Sequence, residues 1–83
     1  MGRIVFLNGD YVDEAEAKVS VFDRGFLFAD GVYEVVSVLD GKLIDFEGHC
    51  VRLARSLGEL GMTAPMSDDA LLEMHRELVA RNG

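Results

Sequence analysis

Residues 32–46 read VYEVVSVLDGKLIDF, and the fold turns on how they are read. Val32, Val35, Val36 and Val38 are β-branched, and β-branched side chains fit a pleated, half-buried surface. Asp40-Gly41 splits the stretch with two residues that tolerate positive φ, the signature of a two-residue hairpin turn. Two antiparallel strands are therefore expected, over 32–39 and 42–46. A second signal of the same kind lies upstream. RIVFL at 3–7 runs into Asn8-Gly9, and Tyr11 and Val12 continue as the return strand.

Between the hairpins the chain is acidic at 13–18, which predicts an exposed loop or helical turn, and 18–21 is a brief extended piece. Asp23-Arg24-Gly25 and Asp30-Gly31 punctuate the stretch before the second hairpin. The apolar run Phe26-Leu27-Phe28-Ala29 between them is too short for a helix by its pattern. It predicts a buried turn that pins the next strand to the core.

Downstream the period changes. His49, Arg52, Leu53, Ser56, Leu57 and Leu60 recur at spacings of three and four, which predicts a helix ending at Gly61, with Pro65 in the loop beyond. Ser67 suits an N-cap, with Asp68 and Asp69 at the positive end and an apolar stripe of Leu71, Leu72, Met74, Leu78 and Val79. The expected architecture is α+β. A mostly antiparallel sheet from two hairpins spans about residues 3–46, with helices at about 47–60 and 67–82 packed on it.

Composition limits the function. The 83 residues carry 15 Asp and Glu against 8 Lys and Arg, a formal charge of −7. That balance argues against a nucleic-acid surface, which needs a cationic footprint. No apolar run reaches the roughly 18 residues of a membrane span, and no charged-then-apolar leader is present. A cytoplasmic globular protein with no membrane or nucleic-acid partner is expected. Cys50 is the single cysteine, so it has no partner for an internal disulfide and belongs to no zinc motif. No phosphate-binding glycine loop, metal-binding His-Glu-x-x-His or nucleophile elbow occurs. Neither Lys18 nor Lys42 has the desolvated setting of a Schiff-base lysine.

Chemistry concentrates on 32–39. Strand alternation puts Tyr33, Val35, Ser37 and Leu39 on one face and Val32, Glu34, Val36 and Val38 on the other. A phenol, a small aliphatic and a hydroxyl suit one wall of a small-molecule pocket, although an ordinary strand aromatic also accounts for Tyr33. Glu34 is a lone acid in an apolar run, and a buried carboxylate needs a partner. Arg24 is the nearest candidate along the chain, so a structural Glu34–Arg24 pair is expected. Arg52 sits near a helix start and could hold a phosphate bidentately, or be a solvated surface arginine like Arg55. His49 could orient a neighbour or cap its turn.

Asp23-Arg24-Gly25, then Phe28-Ala29-Asp30-Gly31-Val32-Tyr33-Glu34-Val35, then His49-Cys50-Val51-Arg52-Leu53 closely resemble the amino-terminal domain of fold-type IV pyridoxal-phosphate enzymes. The likeness is greatest to D-amino-acid (D-alanine) aminotransferases and weaker to branched-chain aminotransferases and aminodeoxychorismate lyases. It covers nearly the whole chain. The resemblance implies that residues 1–83 are the small N-terminal domain of such an enzyme, with a larger C-terminal domain beyond them. It further implies pyridoxal 5'-phosphate as cofactor, an amino acid and a 2-oxo acid as substrates, and a homodimer. Arg52 falls on the family's phosphate-binding arginine. Tyr33 falls on a substrate-site tyrosine, with Val35 and Ser37 lining the side-chain pocket and Arg24, Glu34 and His49 as structural support. The Schiff-base lysine would come from the second domain, so no catalytic residue and no activity are expected within these 83 residues. A stand-alone α+β interaction module is the alternative from another class.

Overall fold

A computed structural model describes residues 2–83. The first hairpin pairs β1 (Ile4–Leu7) with β2 (Asp10–Asp13) in antiparallel register, Leu7 opposite Asp10 and Ile4 opposite Asp13. Its turn places Asn8 at φ 51° and Gly9 at φ 91°, the left-handed pair that matches the twist of the flanking strands. Phe6 and Tyr11 lie opposite each other with rings edge to face at 5.0 Å. A single 3-10 turn comes next, at Glu14–Glu16 within the acidic stretch.

The second hairpin forms at the expected turn, with Asp40 at φ 52° and Gly41 at φ 75°. Its ladder is much shorter than the pattern predicts. β3 (Val38–Leu39) pairs with β4 (Lys42–Leu43), and one further bond runs from Ile44 N–H to the Ser37 carbonyl at 2.9 Å. Residues 32–36 do not join a ladder, because among the described residues no second strand lies alongside them. They keep the alternation of a strand all the same. Val32, Glu34 and Val36 are half-buried while Tyr33, Val35 and Ser37 are exposed. The two hairpins form separate two-stranded sheets.

The run at 26–29 differs from expectation. It belongs to a short helix, α1 (Arg24–Phe28), started by the Asp23 carboxylate, which accepts from Gly25 N–H at 2.9 Å, and ended by Ala29 at φ 56°. Phe26, Leu27 and Phe28 are exposed rather than buried. Arg24 is held locally, with its guanidinium on Asp30 at 2.6 Å and over the Phe28 ring at 5.0 Å.

The two long helices stand where the periodicity puts them. α2 (Phe46–Leu60) turns Phe46, His49, Cys50, Leu53 and Leu57 inward and stops at Gly61, whose φ is 67°. α3 (Asp68–Asn82) starts at Ser67, whose hydroxyl accepts from Ala70 N–H at 3.1 Å. The edge-to-face contact of Phe46 with His75, at 5.1 Å, joins the two helices. α3 also packs on β1, where the Asn82 amide acts as a substitute strand. It accepts from Ile4 N–H at 2.8 Å and donates to the Ile4 carbonyl at 2.9 Å. The result is an α+β slab, 36 × 31 × 18 Å, in which Cys50 and Leu57 are the buried apolar residues among those described.

Candidate functional site

The alternation of 32–36 sends the Glu34 side chain toward α2, and α2 meets it with two residues one turn apart. His49 Nδ1 lies 2.6 Å from Glu34 Oε1. Arg52 grips the same carboxylate in fork geometry, Nε to Oε2 at 2.9 Å and Nη2 to Oε1 at 2.8 Å. Helical spacing of three is what places both donors on one face. Glu34 therefore pairs with His49 and Arg52, and the expected Glu34–Arg24 pair does not form. Arg24 is taken by Asp30, six residues on, before the chain enters the stretch that carries Glu34.

The protonation pattern is set by the contacts. The Arg52 guanidinium and, next to it, His49 hold the Glu34 carboxyl well below the usual range, pulled down from 4.5 to about 2. An ionised carboxylate only accepts, so His49 Nδ1 carries the proton and donates it. The 3.1 Å approach of Arg52 Nη2 to that same nitrogen is then a contact between donors, both aimed at one oxygen. Glu34 in turn pushes the Arg52 guanidinium further up, so its charge is permanent. Asp45 and Tyr33 lie within electrostatic reach of it as well.

A planar guanidinium has five N–H bonds. Glu34 takes the Nε edge and one hydrogen of Nη2. Both hydrogens of Nη1 and the outer one of Nη2 make no hydrogen bond among the described residues. The Arg52 side chain is 56% exposed against 14% for Glu34, so the pair is buried on its acidic side and open on its basic side. That arrangement can receive an anion.

A cavity of about 180 Å³ lies beside the cluster, lined by Tyr33 and Glu34, by His49 and Cys50 of α2 and by Leu71 and His75 of α3. Of the sequence-derived residues, Glu34, His49 and Arg52 come together beside it, while Tyr33, which also borders it, is 84% exposed on the face it shares with Val35 and Ser37. Val35 and Ser37 lie on the opposite, exposed face of 32–37, away from this cavity. Burial pushes the Cys50 thiol up, with Asp68 and Glu47 adding to the effect, as suits a packed core residue. His75, which the sequence pattern does not single out, turns Nδ1 to the Leu71 carbonyl at 2.7 Å. Among the described residues no group of acids, histidines and cysteine could hold a metal ion. No helix among them is long and apolar enough to cross a membrane.

No family model matches the chain. Curated relatives do. Over 78 residues, 94% of this chain, it is 45% identical to the D-alanine aminotransferase of Staphylococcus aureus and 42% identical to that of Staphylococcus epidermidis. The D-alanine aminotransferase of Listeria monocytogenes is 38% identical over the same length. The chain spans 28% of the Staphylococcus proteins, their N-terminal part. Over that part, the chain is similar to the D-alanine aminotransferases.

Proposed function

We propose that these residues are the small N-terminal domain of a fold-type IV, pyridoxal-phosphate-dependent aminotransferase that moves the amino group of a D-alanine-like amino acid to a 2-oxo acid. The observation that carries the reading is Arg52, a permanently charged guanidinium fixed by Glu34 with its remaining donors free, beside Tyr33. The identity of 38–45% with D-alanine aminotransferases supports the choice of reaction.

The residues present fit one portion of the cofactor, its phosphate. Arg52 would hold it through the Nη1 side, and charge-assisted bonds of that kind are the strong ones. When bound, pyridoxal phosphate supplies the electron sink that lets an α-proton leave. Tyr33 is 84% exposed and would turn its hydroxyl to the substrate carboxylate, with Val35 and Ser37 toward the substrate side chain. Lys18 and Lys42 are exposed, and neither lines the cavity beside Glu34. The lysine that carries the cofactor would come from a larger C-terminal domain, in a cytoplasmic homodimer. This domain's contribution is positioning, a large catalytic term, and not the base.

In the full-length protein, Arg52→Ala should weaken pyridoxal-phosphate binding by roughly 10- to 150-fold, the loss of about 1.5–3 kcal/mol. An absorbance titration of the cofactor-free protein measures it, and an unchanged affinity rules Arg52 out as the anchor. Tyr33→Phe should raise KM for the amino acid about 2- to 10-fold, as for one lost hydrogen bond. Steady-state kinetics with D-alanine and 2-oxoglutarate would reveal it.

A further inference from the structure

We propose that Glu34 and His49 are positioning residues for the phosphate anchor, holding the Arg52 guanidinium so that only its Nη1 side faces an incoming anion. This rests on Arg52 being the phosphate anchor. It assigns to Glu34 a role opposite to its sign, since a carboxylate beside a phosphate site would ordinarily repel the ligand.

Geometry resolves the conflict. Glu34 directs its charge inward. Oε1 receives His49 Nδ1 at 2.6 Å and Arg52 Nη2 at 2.8 Å, and Oε2 receives Arg52 Nε at 2.9 Å. Two of the five guanidinium N–H bonds are thereby fixed, and because the group is planar the other three are fixed in direction. A free arginine would have to order its long side chain when it bound the phosphate, at a cost in rotamer entropy. Here that ordering is done within the fold. His49 completes the arrangement from the preceding turn of α2. It saturates Oε1 and leaves Glu34 less able to swing away with Arg52. The Glu34 and His49 side chains are well shielded, 14% and 18% exposed, so little solvent competes for the hydrogen bonds of the brace.

The test compares two probes on the cofactor-free, full-length protein: pyridoxal phosphate and pyridoxal, which lacks the phosphate. Glu34→Gln keeps the side chain's shape and removes the charge. It should lower affinity for pyridoxal phosphate about tenfold and leave pyridoxal unchanged, in line with the coupling of residues in one hydrogen-bonded network. His49→Phe, which keeps a ring but loses the Nδ1–H, should lower it about threefold with the same selectivity. Equal weakening of both probes would mean that Glu34 only supports the fold, and would overturn the inference. A phosphate-selective loss in Arg52→Ala with none in Glu34→Gln would also overturn it while leaving the anchor reading intact. No selective loss in Arg52→Ala would overturn the anchor reading and the inference together. Should Glu34→Gln not fold, His49→Phe decides by the same criteria.

Discussion

Glu34 remains charged while most of its side chain is shielded, because two donors face it from a single helix. Its folded pKa, about 2, lies below the ordinary 4.5. A carboxylate depressed in this way stabilises the folded state above its unfolded pKa, and the contribution fades as pH falls from about 4.5 toward 2. Urea midpoints measured between about pH 5 and pH 2 should therefore fall less steeply in Glu34→Gln than in the parent. Identical slopes would show that the cluster is not formed in solution. The sequence makes Glu34 conspicuous as the one acid in an apolar run, but proximity along the chain picks the wrong partner. The signal that finds the right one is parity. Glu34 shares a face with Val32 and Val36, that face turns toward α2, and His49 and Arg52 are one turn apart on it.

At the scale of elements, legibility depends on how local the deciding forces are. Asn8-Gly9 and Asp40-Gly41 set both hairpin turns through their own backbone preferences, and Ser67 and Gly61 set helix ends in the same way. Removing the hydroxyl in Ser67→Ala should cost about 1 kcal/mol, read as a lower denaturation midpoint, because Ala70 N–H would lose its acceptor. What local signals could not decide was the length of a strand. Residues 32–36 have strand composition and strand alternation, yet a ladder also needs a neighbour, and none of the described residues supplies one. The exposed helix at 24–28 is a related case. Phe26 and Phe28 have the composition of core residues, and only the surrounding packing determines whether a core reaches them.

For the whole molecule, surface area measures how much apolar face lies open. A folded monomer of 9.1 kDa should expose about 4,900 Å². This chain exposes 6678 Å², an excess of roughly 1,800 Å². Much of the exposed surface is apolar, including Val19, Val21, Phe22, Phe26 and Phe28 along one continuous segment and Val35, Val38 and Leu39 around the second hairpin. A standard protein interface takes about 800 Å² from each partner, so the excess corresponds to a cover larger than a transient contact. The relatives are long enough to provide one within a single chain, since these residues match only 28% of their length. An isolated polypeptide of residues 1–83 should accordingly self-associate and bind a hydrophobic dye such as ANS. It should also show no transfer from D-alanine to 2-oxoglutarate, since neither Lys18 nor Lys42 lines the cavity beside Glu34. Light scattering, dye fluorescence and a coupled keto-acid assay check the three points. A monomeric, dye-silent fragment would mean that the apolar segment packs on itself, and turnover by the fragment would require a lysine within it to carry the cofactor.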